Sequence, residues 1–268
     1  MKKRLVLIDG NSLMFRAYYA TSYKGNLMQT STGLFTNAIY GFYAMTNNIL
    51  RNEEYTFVAF DAGSQTFRHQ EYLEYKAKRR PLPDELRVQI PYIKRYLDIL
   101  KVPRFENLEY EADDILASLA TKFYNDFQEI VIISGDRDLL QLVNDKVKVL
   151  LPTKGTSEFD EYNNENFYEK FNIYPWQITD YKGLVGDTSD NLPGIKGIGE
   201  KTAKKLLSEY QTLENIIENV EKLDGKVKQN IKENYQEGLR CKHLATLKKD
   251  INLPFTITDL KISNYDFN

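Results

Sequence analysis

Residues 4–9 read RLVLID, an apolar run closed by an acid, and the pattern recurs as TFVAFD at 56–61 and EIVIISGD at 129–136. Runs of Val, Ile, Leu and Phe without polar alternation suit strands buried on both faces of a parallel sheet. Strands are therefore expected at 4–8, 56–60, 130–134 and 147–151, with helical stretches between them, notably 33–51, 84–100 and 112–125. Alternation of this kind predicts an α/β fold: a mostly parallel twisted sheet flanked by helices. Beyond about residue 165 the strand signal fades, and helices are expected at 175–185, 199–209, 212–221, 225–234 and 235–247. The boundary between an α/β domain (1–168) and a helical domain (169–268) is placed near 168. INLPFTI, at 251–257, adds a peripheral strand or covers the core.

The acids that close these strands matter next. In an open α/β sheet the carboxyl ends of the strands line one crevice, where ligands bind. Asp9, Asp61 and Asp136 should meet there. EYEADDIL places Glu111, Asp113 and Asp114 at the start of a helix, and Asp138, Asp187 and Asp190 add a D-x-D and the acids of GDTSDNLPG. Any one of these reads equally well as a turn or helix-cap acid. Gathered together they repel unless cations neutralise them, and oxygen donors without histidine suit hard cations such as Mg²⁺ or Mn²⁺. The pattern points to metal-dependent phosphoryl chemistry. Two such ions can clamp the attacking and leaving oxygens of an in-line displacement.

Composition narrows the field. With 268 residues and 42% hydrophobic content, the chain can bury one large or two small cores. One cysteine, Cys241, excludes an internal disulfide and fits a reducing compartment, so the cytoplasm is expected. No stretch approaches the roughly 18 apolar residues of a membrane span. Two His and one Cys cannot build the usual zinc set. No G-x-x-x-x-G-K-[ST] is present, which argues against a P-loop enzyme. The net charge of −2 argues mildly against a nucleic-acid binder. Its distribution argues the other way: Arg68, Lys76, Lys78, Arg79, Arg80, Arg87, Lys94 and Arg95 precede the later acids, and Lys196, Lys201, Lys204 and Lys205 follow them. Each group alone reads as a solvated helix face. Bracketing a metal site, they read as phosphate contacts.

Residues 194–199, GIKGIG, precede a helical stretch, where glycines let backbone N–H groups approach a phosphate. A dinucleotide fold needs this motif directly after a strand. Here helices flank it, which suits a hairpin gripping one nucleic-acid backbone, its carbonyls able to hold a monovalent cation. A plain glycine-rich connection is the competing reading.

DGNSLMFRAYYA, FVAFD, FRHQEYLEYKAKRRPLPDEL, EYEADDILA, ISGDRDLLQL and GDTSDNLPGIKGIGEKTA together resemble the bacterial 5′→3′ exonuclease and flap endonuclease family, related to the N-terminal 5′-nuclease domain of DNA polymerase I. The resemblance runs along nearly the whole chain. It implies a PIN-like core, a helical arch near 66–95 and a helix-3-turn-helix near 180–210. It implies a tighter, catalytic metal cluster of Asp9, Asp61, Glu111, Asp113 and Asp114, and a second of Asp136, Asp138, Asp187 and Asp190, with Asp113 close to both. Lys76 and Arg79 become catalytic arch residues. Arg68, Tyr75 (as a stacking surface), Lys76, Arg79, Arg80, Gly194, Lys196, Gly197, Gly199, Lys201 and Lys205 become DNA contacts, with Arg80 departing from the small residue or proline usual there. The implied cofactors are two or more Mg²⁺ (Mn²⁺ substituting) and K⁺ at the hairpin. The implied partners are 5′-flap, recessed or nicked duplex DNA and RNA–DNA hybrid, bound by a monomer. The expected protein is a stand-alone nuclease of RNA-primer removal and repair. A PIN-like ribonuclease and a junction-binding protein without chemistry are the rival readings.

Overall fold

The computed structural model describes residues 3–22, 27–63, 65–153 and 158–262. The chain begins with β1 (Arg4–Asp9), α1 (Gly10–Thr21), α2 (Asn37–Asn52) and β2 (Tyr55–Asp61). Next come α3 (Phe67–Glu71), α4 (Asp84–Arg87), α5 (Ile90–Ile99), β3 (Arg104–Asn107), α6 (Ala112–Lys122) and β4 (Glu129–Ile133). A 3₁₀ turn (Arg137–Leu142) leads to β5 (Val147–Pro152), β6 (Phe159–Tyr162) and α7 (Phe167–Phe171). The rest is helical: α8 (Ile178–Val185), α9 (Glu200–Tyr210), α10 (Leu213–Glu218) and α11 (Gly225–Ala245).

The strands form one sheet in the order β3-β2-β1-β4-β5-β6, parallel except for β6. Strand alternation sends Leu5, Leu7, Ile130 and Ile132 to one core, with α6. Val6, Ile8, Val131 and Ile133 face the other core, with α1, α2 and α5. The first core continues without a break into Leu184, Ile198, Leu207 and Leu213, so the C-terminal helices share it with the sheet. Chain direction along the sheet reverses between β1 and β4, the switch point at which α/β folds open a crevice.

Several expectations need correction. β3 and β6 lie at the sheet edges and were not anticipated, nor was α1. The stretch 84–100 is two helices, because Pro91 in the first turn of α5 starts a helix better than it continues one. Residues 225–245 form one helix instead of two: Gly238 inside it has Ile195 and the Gly183 carbonyl 2.8 and 3.1 Å from where a Cβ would sit. Of the two readings of 251–257 the second holds: the segment forms no strand and covers the core, with Phe255 packed edge-on against Phe57 and Phe105. Over 66–95 the expected helical arch is present only as short pieces. After α3 come turns and irregular chain to residue 83, while Leu86 and Ile93 anchor α4 and α5 in the core.

Candidate metal centre and nucleic-acid interface

Asp9 ends β1 and also caps α1: its Oδ1 accepts from the Ser12 N–H at 2.9 Å. Its Oδ2 accepts from the Ser134 hydroxyl at 2.6 Å, tying β1 to the turn after β4. Asp61 ends β2; its N–H donates to Asn11 Oδ1 (3.0 Å) and its Oδ1 accepts from the Ala112 N–H (2.8 Å), fixing the start of α6. Glu111 and Asp113 stand at that same helix start, and Asp136 caps the 3₁₀ turn after β4. Asp9, Asp61, Glu111, Asp113 and Asp136 all line one crevice of about 460 Å³ at the strand ends. Phe15, Arg16 and Tyr19 of α1 form its far wall.

Burial dominates the electrostatics there. It pushes the Asp9 carboxyl up to about 7, and nearby Asp61 and Asp136 add to the rise. Asp113 is held well above the usual carboxylate range by burial and by Asp136 and Asp9, and its Oδ1 is buried without a hydrogen-bond partner. Burial in a crowd of acids accounts for both shifts.

Asp138, Asp187 and Asp190 make a second group, with one oxygen from each lying within 4.8 Å of the others. Lys182 of α8 reaches Asp138 and Asp187 together. Burial lifts Asp138 to about 7 despite that ammonium. Burial also works against Asp187, but Lys182 and the Ser189 donors outweigh it and hold the carboxyl at about 2. Asp190 accepts from Arg79 at 2.8 Å and from the Tyr75 hydroxyl at 3.2 Å. Asp136 lines the first crevice and also the adjoining hollow with Arg79, Thr188 and Ser189. Asp136 acts on Asp9 and Asp113 in the first group and on Asp138 in the second, so it stands close to both, and Asp113 faces it directly.

Four expected roles change. Asp114 is fully buried, its oxygens taken by Arg68 (2.6 and 2.8 Å), the Glu111 N–H and the Lys248 N–H, so it faces no crevice and positions Glu111 instead of ligating. Arg68 is buried as well, donating also to the Leu244 and Thr246 carbonyls, and cannot reach DNA. Tyr75 is buried, its hydroxyl shared between Glu111 and Asp190, so no base can stack on it; burial and those two acids keep that hydroxyl protonated. Gly194 is buried too, and its N–H donates to Cys241 Sγ, which withdraws it from any phosphate.

The remaining basic residues do reach the surface. Lys76 donates to Glu111 at 2.8 Å from a left-handed backbone (φ 55°), and its N–H donates to the Asp190 carbonyl. Arg79 is half-exposed beside Asp190, and Arg80 is exposed. Between α8 and α9, Gly197 (φ +80°) and Gly199 turn the chain outward, and Lys196, Lys201 and Lys205 are exposed there, while Lys204 pairs with Glu200. Sequence reasoning missed Asn11, Ser12, Ser134 and Lys182. The first three were legible as the polar neighbours of Asp9 and Asp136 in DGNS and ISGD. Lys182 sits mid-way along the short helix ITDYKGLV, where a lone lysine reads as solvated, and gave no signal.

A parallel sheet with acids at its switch point, joined to a helical unit carrying a glycine hairpin, defines a resolvase-like nuclease fold. Residues 4–172 match the 5′-3′ exonuclease N-terminal resolvase-like domain, and 173–268 match the 5′-3′ exonuclease C-terminal SAM fold. The chain belongs to the 5′-3′ exonuclease family. It is 42% identical over 269 residues to DNA polymerase I of Bacillus caldotenax, covering 99% of this chain and 30% of that one. It is 44% identical over 267 residues to DNA polymerase I of Mycobacterium bovis, covering 99% and 29%. The chain thus spans about 30% of the length of these relatives. Among solved structures, bacteriophage T5 5′-exonuclease with divalent zinc bound superposes with a TM-score of 0.73 at 26% identity, covering 91% of this chain and 90% of that one. Flap endonuclease-1 from Methanococcus jannaschii shares the fold, with a TM-score of 0.59 at 19% identity over 98% and 83%. No helix among the described residues is long and apolar enough to cross a membrane.

Proposed function

We propose that the protein is a Mg²⁺-dependent, structure-specific 5′→3′ exonuclease and flap endonuclease. The observation that carries this reading is the gathering of Asp9, Asp61, Glu111, Asp113 and Asp136 in one crevice, with Asp138, Asp187 and Asp190 beside it. The donor set fits a hard divalent cation: carboxylate oxygens without histidine, and a buried Asp113 oxygen left without a partner. Asp9, Asp61, Glu111, Asp113 and Asp136 would hold one ion, and Asp136, Asp138, Asp187 and Asp190 a second. Bound Mg²⁺, or Mn²⁺ in its place, supplies an acidified water and offsets the charge of the reacting phosphate.

The chain's own residues do the rest. Asp114, locked by Arg68, holds the start of α6 so that Glu111 and Asp113 keep their places. Lys76 and Arg79, at the crevice rim, turn from their carboxylates to the incoming phosphate and orient it. Water adds to phosphorus and the P–O3′ bond breaks, leaving a 3′-hydroxyl and a 5′-phosphate. Lys196, Lys201 and Lys205, with the N–H groups of Gly197 and Gly199, grip the backbone of duplex DNA beyond the cut, and carbonyls of the same turn hold K⁺. The substrates are 5′ flaps, nicks and recessed ends, with RNA–DNA hybrid at primer junctions. The protein acts as a cytoplasmic monomer in primer removal and repair, with its domain boundary near 168. T5 5′-exonuclease with bound zinc, similar over nine-tenths of both chains, supports the metal-dependent reading.

Incubating the protein with a 5′-labelled flap duplex in Mg²⁺, in EDTA, and beside plain single strand tests it. Mg²⁺-dependent release of short oligonucleotides from the flap junction is expected. Tight binding with no product in either Mg²⁺ or Mn²⁺ would overturn it.

A further inference from the structure

The two carboxylate groups are neutralised unequally. In the first crevice both cations, Lys76 (2.8 Å) and Arg68 (3.5 Å), pair with Glu111, while the Asp113 Oδ1 is left with no hydrogen-bond partner. In the second, three acids meet two cations: Lys182 on Asp138 and Asp187, and Arg79 on Asp190. Lys182 is held there by its element. Gly186 closes α8 with its N–H on the Lys182 carbonyl (2.8 Å), and its left-handed backbone (φ +84°) brings Asp187 back over the lysine side chain. The ammonium is mostly buried, and it bonds the same acids whose oxygens converge closely enough to hold an ion.

We infer that Lys182 is a tethered counter-ion occupying the second carboxylate group, so that a divalent cation enters there only by displacing its ammonium. This deepens the metal-dependent reading of the site and rests on it. The chemistry of lysine suits such a role, because its charge sits on a flexible apolar stem and can swing to the crevice mouth without disturbing α8. The lysine keeps Asp138 and Asp187 compensated when no ion is present. It also makes the second position the weaker one for a divalent cation, because a nearby positive charge must be moved before another arrives.

The test is titration of the whole protein with Mn²⁺ at pH 7.5, counting bound ions by calorimetry and by the loss of free-ion paramagnetic signal. Wild type, Lys182→Met, Lys182→Arg and Asp138→Asn are compared. Wild type should show a tight and a weak event. In Lys182→Met the weak event should tighten by about tenfold, the scale expected for removing one charge a few ångströms away in a partly buried site. Lys182→Arg should stay close to wild type, and Asp138→Asn should lose the weak event. A second readout follows the lysine itself: the ¹⁵N signal of the Lys182 ammonium, told apart from that of Lys76 by its loss in Lys182→Arg, should be protected from solvent exchange without divalent ions and vanish as Mg²⁺ fills the weak event. If Lys182→Met binds the second ion no tighter while Asp138→Asn loses it, the lysine is not a competitor and the proposal fails with the two-ion reading intact. If the protected ammonium persists through saturation with Mg²⁺, the proposal fails in the same way. If neither the variants nor the wild type bind a divalent ion, the metal-dependent reading fails too.

Discussion

Asp9 caps α1 with one oxygen and takes the Ser134 hydroxyl on the other, yet burial still lifts its carboxyl to about 7. Asp138 sits at about 7 for the same leading reason. In the unfolded chain both would titrate near 3.8, so the folded state holds these protons more tightly. Their stability contribution is therefore complete at low pH and is lost as pH rises through about 7. The metal-free protein should melt at a lower temperature at pH 8 than at pH 6, and Mg²⁺, which takes the deprotonated acids, should flatten that trend. Thermal melts in EDTA and in Mg²⁺ check this; a melting temperature rising from pH 6 to 8 in EDTA would contradict it. Asp187, held at about 2, has the opposite sign and loses its contribution only as pH falls below 3.8. Arg68 belongs to the same scale. Arg68→Met leaves Asp114 buried without its cation, which costs about 3–5 kcal/mol by analogy with other broken buried pairs, readable by urea denaturation.

Among the elements, the strands that carry acids were the easiest to read, because a strand buried on both faces must be apolar throughout and the acid that ends it stands out. β3 (RFEN) and β6 (FDEY) were not legible: half-buried edge strands have no such run. The α8–α9 hairpin was legible as GIKGIG, but its glycines were read as one set, whereas the structure divides them. Gly194 takes a left-handed backbone, and a Cβ on it would lie 2.2 Å from the Gly186 N. Gly194→Ala should therefore destabilise the fold by about 1–3 kcal/mol, measured by denaturation. Replacing Lys196, Lys201 and Lys205 together by Ala should leave stability unchanged. Such a variant should weaken duplex binding and flatten the dependence of log affinity on log salt by about three, one for each phosphate no longer neutralised. An unchanged salt slope would remove these lysines from the interface. Asp114, Arg68 and Tyr75 were misread for one reason: a charged or polar residue in a motif reads as a surface ligand, and only packing from α6 and the end of α11 reveals it as a buried support.

At the scale of the molecule, acids from β1, β2, the start of α6, the turn after β4 and the loop after α8 meet because the sheet reverses at β1 and β4 and the C-terminal helices share its core. That convergence could be expected from sequence; the unequal neutralisation of its two halves could not, since Lys182 approaches from the helical unit. In the proposed function these carboxylates perform the cutting and the basic surfaces perform the holding. Parallel measurement of flap-duplex binding and single-turnover cleavage in Mg²⁺, for wild type and Asp113→Asn, separates the two. Binding should stay within a few-fold while cleavage falls by at least about a hundredfold, the scale of losing one electrostatic element of a transition-state site. Cleavage by Asp113→Asn at the wild-type rate would contradict the account.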